Sequence, residues 1–216
     1  MRRPGGPDFL TVAEAGLLAK VGLNDAGVGT CTNTLAGAGA EGSLGVPYHV
    51  LLRSVLDATD GRCATAVLRD SPKANSANYI VVDDTGFVVD LEAAPCEDSY
   101  RVLEPSEGVL AHVNHFLSQG LTTVGKDLSR KPHSLTRMSN LEASLRAHHK
   151  SSIRDIKTAL ADHRDAPTNV CQHPRPELRT KERTCTLADL VLDVEQRTRH
   201  LASGNPCTAP WSALSI

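Results

Sequence analysis

The chain has 216 residues, of which 40% are hydrophobic and 22% charged, and its formal net charge is -2. This length is enough for one domain with a hydrophobic core, and the composition is that of a globular protein. The small net charge argues against a nucleic-acid partner, and the sequence contains no apolar run of the roughly 20 residues that cross a membrane, so we expect neither nucleic acid nor a membrane as a partner.

The first predicted element is a β-hairpin at residues 17–35. Residues 17–23 are mostly apolar, and residues 28–35 alternate between apolar and polar. Asn24-Asp25-Ala26-Gly27 between them supplies residue types that accept left-handed backbone angles. The reversal of the chain is therefore expected at this tetrapeptide.

Two helices and a second hairpin are predicted after a flexible connector at residues 37–44. Pro47 favours a helix start, and apolar residues recur at helical spacing over residues 49–58, with a weaker helical pattern at 64–69. Residues 77–82 and 87–92 are typical of strands, and Asp83-Asp84-Thr85-Gly86 is a strong turn signal between them.

The remaining chain mixes strands and helices. Strands are predicted at residues 99–103 and 109–114. A helix begins at Ser134, its candidate N-cap, and another spans residues 152–162. After a polar connector at 167–183, strands are predicted at 184–193 and 198–202, and the tail after Gly204 is expected to be irregular. This pattern predicts one α+β domain, residues 1–216, with mainly antiparallel sheet.

The six cysteines favour reduced structural thiols. No apolar signal segment follows the N-terminal arginines, so we expect a cytoplasmic location, where thiols stay reduced. None of the cysteines form a C-x-x-C pair, and their spacings fit no zinc template. His148, His149 and His163 favour a solvated cluster at a helix end over a metal hydrolase, which would contain stoichiometric zinc. We expect no metal and no cofactor.

Short motifs in a fixed order match a known family. The longest is EAGLLAKVGLNDAGV at residues 14–28. The others are GVPYH and LR within 45–53, SANY at 76–79, DLE at 90–92, AHVNH at 111–115, SLTR at 134–137 and GNPC at 204–207. Over residues 9–211 the chain resembles the acyl-CoA:6-aminopenicillanic acid acyltransferase (isopenicillin N acyltransferase) family of autoproteolytic N-terminal-nucleophile hydrolases.

The resemblance implies a fold, a reaction and site residues. The fold would be an αββα four-layer sandwich. The reaction would be acyl transfer or amide hydrolysis through the thiolate of an N-terminal Cys, with acyl-CoA or an amide as substrate. The α-amino group of that Cys would act as the base, since its ordinary pKa is about 7.7–8.0. By resemblance, Asn114 donates to the oxyanion, and Ser76 and Glu92 shape the substrate pocket.

Each of these residues also has a purely structural interpretation. Asn114 could close a strand by bonding to backbone, Ser76 could be a small packing residue, and Glu92 could be a surface carboxylate. We expect His112 and His115 to have hydrogen-bonding roles, because no carboxylate or third histidine lies nearby in sequence to complete a metal site.

The last two expectations concern Arg137 and the nucleophile. Arg137 could bind a substrate carboxylate, although an ion pair on its helix face is the preferred interpretation. The family's nucleophile has no counterpart in the sequence. The chain begins with Met1, Thr11 does not align with the nucleophile, and Cys31 lies inside the first hairpin without a protease motif.

The sequence therefore resembles a catalytic subunit that is truncated at its N-terminus. We expect an acyltransferase or amidohydrolase-like protein that is inactive alone because the nucleophile is absent. The alternative is a non-catalytic remnant, or one chain of a split protein whose partner supplies the missing N-terminal segment. In that case, an exposed sheet edge and an uncovered core would favour association.

Overall fold

The chain folds into two antiparallel β-sheets with helices on their outer faces. The computed structural model describes residues 5–35, 44–95, 100–118, 133–148 and 151–216. In these ranges the strands are β1 Phe9–Val12, β2 Val21–Asn24, β3 Gly29–Thr34, β4 Ala77–Val82, β5 Val88–Ala93, β6 Tyr100–Leu103, β7 Ala188–Asp193, β8 Thr198–Ser203 and β9 Trp211–Ser215. The α-helices are α1 Tyr48–Leu56, α2 Gly61–Asp70, α3 Ser134–Arg146 and α4 Ile153–Leu160. None of these helices is long and apolar enough to span a membrane.

The larger sheet has six strands whose spatial order is their order in the chain, β1 to β6, and the smaller sheet has the order β7-β8-β9. Neighbouring strands pair antiparallel throughout. Both predicted hairpins of the larger sheet are present. Gly27 and Gly86 in their turns have φ angles of 92° and 89°, which a residue without a side chain adopts freely.

The strands of the larger sheet present an apolar face to α1 and α2. On β4, Ala77, Tyr79 and Val81 are buried in the same core cluster as Leu52 and Leu68 of the two helices. Because side chains alternate along a strand, the intervening residues point to the opposite face. That second face carries polar side chains, which form the candidate site described below.

The smaller sheet lies on this second side and has its own helix. Strand β7 contacts both β2 and α4. The loop after β7 comes so close to the larger sheet that a Cβ on Gly29 would lie 2.7 Å from the Val194 side chain. The order of layers is helices, larger sheet, smaller sheet, helix. The expected four-layer αββα arrangement is confirmed.

Four sequence-based expectations need correction. Residues 109–114 are not a strand: only Val109 makes an isolated bridge, to Ser106. Strands β1 and β9 were not predicted, and β9 occupies the tail expected to be irregular. Ser134 is the first residue of α3 and not its N-cap, which is His133. The loop at 109–114 instead finds its side-chain partners in distant parts of the chain, Glu92 and Ser134, which local patterns do not predict.

Asn24 at the end of β2 connects the first hairpin to α1. It is fully buried. Its Nδ2 donates to the carbonyl oxygens of Leu56 at 3.1 Å and Ala58 at 2.8 Å, and its Oδ1 accepts from the Val28 N–H at 2.8 Å. One side chain thus satisfies three backbone groups, two of them buried and one partly buried.

Replacing Asn24 by Ala should destabilise the fold. Two buried backbone groups and one partly buried carbonyl lose their partner, so we expect the free energy of unfolding to fall by about 2–3 kcal/mol. Urea unfolding followed by circular dichroism measures this change. Asn140→Ala is the control, because that amide bonds only to exposed groups; its effect should stay within about 0.5 kcal/mol. Equal effects of the two substitutions would contradict the assigned role.

Candidate active site

Polar side chains form a row across four strands of the larger sheet, on the face opposite α1 and α2. Directly paired residues share a face, and the register aligns Asn33, Asn78, Glu92 and Arg101. Asn78 lies at the centre of this row. Its Oδ1 accepts from the Asn33 N–H at 2.8 Å, and its Nδ2 donates to both carboxylate oxygens of Asp90 at 3.0 and 3.2 Å.

Glu92 on β5 anchors the loop at residues 111–118. It has no exposed surface. Its carboxylate accepts hydrogen bonds from the N–H groups of Leu117 at 2.6 Å and Ser118 at 2.9 Å, and from the Ser118 hydroxyl. Burial opposes ionisation, but His112 and these donors together hold the pKa of Glu92 below its usual value. Glu92 is therefore a buried, ionised anchor and not a surface carboxylate.

His112 is the cationic partner of Glu92. Its Nε2 lies 2.7 Å from the Glu92 carboxylate, and its Nδ1 lies 2.8 Å from the Val113 carbonyl oxygen. Both neighbours can only accept, so both ring nitrogens donate and the ring is protonated. Burial alone would lower the pKa of His112, but Glu92 and the Asp90 carboxylate, 3.8 Å away, raise it. A ring with no free lone pair cannot bind a metal, so the expected hydrogen-bonding role is confirmed.

Asp90 completes this buried group of charges. Desolvation raises its pKa to about 6, although His112 and the Asn78 amide partly offset that effect. The His112 ring thus lies between two carboxyls, one with a lowered pKa and one with a raised pKa. The three titrate as a coupled set.

Asn114, the predicted oxyanion donor, is held in one orientation. Its Oδ1 accepts from an Arg137 guanidinium N–H at 2.8 Å, and its Nδ2 donates to the Thr34 carbonyl oxygen at 3.0 Å. A guanidinium can only donate, so the contact fixes which end of the amide is oxygen. The second proton of Nδ2 remains available for another acceptor beside the end of β3.

Arg137 does not form the helix-face ion pair that was the preferred interpretation. No carboxylate in the described ranges lies within ion-pair distance of it, and its Nε is buried without a hydrogen-bond partner. Burial lowers the pKa of this guanidinium, but an arginine stays charged at neutral pH. Next to Asn114 the site therefore contains a positive charge that no carboxylate of the described ranges neutralises.

Ser76 also lies at the end of β3. Its carbonyl oxygen accepts from the Leu35 N–H at 3.1 Å, and its buried Oγ has no hydrogen-bond partner in the described chain. Ser76 and Asn114 thus approach the same strand end from two sides. Their roles in binding and catalysis stay predictions.

Ser134 of α3 supports the loop by contacting Asn114 and His115. The Ser134 hydroxyl accepts from the Asn114 N–H at 3.0 Å and lies 2.8 Å from His115 Nδ1. The hydroxyl can donate its own proton to that nitrogen, which suits a neutral His115. Burial and the charge on His112 accordingly lower the pKa of His115. The sequence analysis singled out both histidines, but it did not predict that Ser134 bonds to His115 or that Ser118 bonds to Glu92.

The remaining candidates lie outside this network. Desolvation, aided by the Asp90 carboxylate, raises the pKa of Cys31 to about 11, so its thiol is not a nucleophile at neutral pH. His148 lies 3.8 Å from Asp155, and His149 is outside the described residues. His163 does not join them but lies against His173.

The fold is that of the N-terminal-nucleophile hydrolases. Penicillin V acylase from Agrobacterium tumefaciens matches with a TM-score of 0.66 at 14% identity, covering 97% of this chain and 70% of that one. A conjugated bile acid hydrolase from Clostridium perfringens matches with a TM-score of 0.59 at 12% identity, covering 95% and 80%.

The chain belongs to the acyl-coenzyme A:6-aminopenicillanic acid acyl-transferase family, whose model matches residues 6–208. It is 28% identical over 209 residues to the 40 kDa form of acyl-coenzyme A:6-aminopenicillanic-acid-acyltransferase of Emericella nidulans. That alignment covers 94% of this chain and 55% of the relative. The chain thus spans about half the length of that curated relative.

Glu92→Gln should lower the pKa of His112. The substitution keeps the shape of the side chain but removes its charge, while the imidazole stays buried. Histidine C2–H titration by NMR measures the shift, with His112→Gln to assign the resonance. Glu107→Gln, at an exposed carboxylate, is the control and should leave the His112 titration unchanged. An unaltered pKa in Glu92→Gln would contradict the ion pair.

The Glu92–His112 ion pair should stabilise the fold most strongly within a limited pH range. The pKa of His112 is raised above 6.5, so its contribution is complete below that pH and is lost as pH rises through the folded-state pKa. The pKa of Glu92 is lowered below 4.5, so its contribution is complete above that pH and is lost on further acidification. Glu92→Gln should therefore cost the most stability between about pH 4.5 and 6.5.

Proposed function

We propose that this chain forms the acyl-binding and oxyanion-stabilising part of an acyltransferase or amide hydrolase. The substrate would be an acyl-CoA thioester or an amide, as the family description and the Emericella nidulans relative suggest. The thiolate of an N-terminal Cys attacks the carbonyl carbon, and the acyl group then passes to an amine or to water. No metal or organic cofactor takes part in that chemistry.

The observation that carries the proposal is the fixed amide of Asn114. Arg137 binds its oxygen and so turns the amide N–H groups toward the end of β3. Donors that are already oriented stabilise a tetrahedral oxyanion without any reorganisation during the reaction. The guanidinium adds a positive charge on the same side, and it favours a developing negative charge or a substrate carboxylate.

The same geometry gives Ser76 and Glu92 different roles. The Ser76 hydroxyl is buried and has no hydrogen-bond partner in the described chain, and this unsatisfied polar group supports the predicted pocket role. The carboxylate of Glu92 is already occupied by the 111–118 loop. We propose that Glu92 shapes the pocket by holding this loop, without touching substrate itself.

The nucleophile would come from a segment outside these 216 residues. The face of the smaller sheet that points toward the larger sheet carries four leucines that stay half-buried or exposed, Leu190, Leu192, Leu201 and Leu214, the last 49% exposed, so the larger sheet does not fully cover it. An apolar sheet face of this kind is suited to being covered by further chain. A segment that begins with the nucleophilic Cys, belonging either to a longer chain or to a partner, would cover it. A cytoplasmic location and autoproteolytic release of the Cys belong to the same proposal.

Co-expression tests this source of the nucleophile. The chain is produced with a tagged N-terminal segment of a relative that carries the Cys, and the release of free CoA from acyl-CoA is followed. We expect a stable complex with thioesterase or acyltransferase activity, and no activity when the Cys is replaced by Ala. If neither a complex nor thioester cleavage appears, the split-protein arrangement is wrong.

Asn114→Ala in the nucleophile-complete protein should lower kcat by about 10²–10³, because one oxyanion donor is lost. Asn140→Ala is the control, because this amide bonds only to exposed groups, and it should leave kcat unchanged. Arg137→Gln should lower kcat by less, since the amide keeps its place but loses its orienting partner. A kcat unchanged by Asn114→Ala would remove Asn114 from the oxyanion site.

A further inference from the structure

Four metal-binding side chains meet in the region between α4 and β9. They are His163, Cys171, His173 and Cys207, and each offers one ligand atom such that all four atoms lie within 4.8 Å of one another. The set is far from the site around Asn114 in sequence and has no role in the chemistry proposed above. It includes the Cys of the GNPC motif.

Four of the six distances between the ligand atoms are close to those of a tetrahedron around zinc, and the two from His163 to the sulfurs are within 4.8 Å. The Cys171 and Cys207 sulfurs are 3.7 Å apart, and the Nε2 atoms of His163 and His173 are 3.1 Å apart. His173 Nε2 lies 3.7 Å from the Cys171 sulfur and 3.3 Å from that of Cys207. Zn–S bonds of about 2.3 Å and Zn–N bonds of about 2.0–2.1 Å at tetrahedral angles require about 3.8 Å for S–S, 3.3 Å for N–N and 3.6 Å for S–N.

The surroundings suit a thiolate ligand. The Asn205 Nδ2 lies 3.5 Å from the Cys171 sulfur and donates to the Gln172 carbonyl oxygen at 2.7 Å. The polar edges of two histidines and two thiols converge here, and imidazole nitrogens facing each other at 3.1 Å share at most one proton. A cation between them satisfies all four at once.

We propose that His163, Cys171, His173 and Cys207 bind one structural zinc ion. Two thiolates and two imidazoles complete a closed four-coordinate site, which leaves no position for a catalytic water. This differs from the sequence-based expectation of no metal and from the metal-hydrolase alternative. The order His-x₇-Cys-x-His-x₃₃-Cys matches no common zinc spacing, so the sequence alone does not predict this site.

The zinc would stabilise the part of the fold with the least apolar core. In the described chain after α3, the buried hydrophobic residues are Ala159, Cys171, Val191 and Ala202. The long stretch between α4 and β7 contains only a short 3₁₀ turn, Thr180–Glu182, as regular structure. A metal that joins two parts of this loop to Cys207 in the β8–β9 connection offsets a large loss of chain entropy.

Metal analysis of the full chain tests the proposal. The protein is expressed with zinc, purified under reducing conditions, and analysed by native mass spectrometry and inductively coupled plasma mass spectrometry. We expect about one zinc per chain, and a lower Tm after treatment with a chelator. Cys207→Ser, at an accessible position, should lose the zinc and the chelator effect. Cys185→Ser, an exposed thiol of the same region, is the matched control and should keep both.

Cobalt substitution tests the coordination geometry without relying on the folding of a variant. The apo chain titrated with Co²⁺ should develop intense visible ligand-field bands and a thiolate charge-transfer band, both typical of a tetrahedral site with sulfur ligands. Three results would overturn the proposal. The first is a wild-type chain that neither retains nor takes up zinc. The second is a Cys207→Ser variant that holds as much zinc as the wild-type chain. The third is an intact mass showing that Cys171 and Cys207 form a disulfide in the reduced preparation.

Discussion

The buried carboxylate of Glu92 determines where the candidate catalytic loop lies. It accepts two backbone N–H groups and a hydroxyl from the end of that loop, and it binds the protonated ring of His112 near its start. A buried charge is stable only when it is paired and fully hydrogen-bonded, and here each partner depends on the other. Asn114 lies between these attachments, so its position depends on a residue that it does not touch.

Helix α3 supplies the second constraint. Ser134 binds the backbone of Asn114, and Arg137 binds its side chain, so the amide is held from the sheet and from a helix. The two supports come from separate parts of the chain and converge on one residue. This arrangement suits a donor that must be in place before the reaction begins. The proposed zinc stabilises a different layer, and the two sites can therefore be tested independently.

Local patterns predicted most of the larger sheet but less of the site. The strands at 77–82 and 87–92 and their Asp-rich turn were predicted because alternation and turn residues act within a few positions. AHVNH also alternates, yet it is no strand, since its partners are the side chains of Glu92 and Ser134 and not another backbone. The motif order located Ser76, Glu92 and Asn114, but the charge pair and the Arg137 contact depend on tertiary structure, as does the cluster around Cys171.

Hydrogen exchange tests the central claim most directly. The amides of Leu117 and Ser118 donate to Glu92, and that of Asn114 donates to Ser134. Their exchange rates should be compared by NMR between the unmodified protein and Glu92→Gln, with Glu107→Gln as the control. We expect Glu92→Gln alone to accelerate exchange at all three amides, because the loop loses its anchor. Unchanged protection at these amides would mean that the loop is held by other contacts, which would contradict this account.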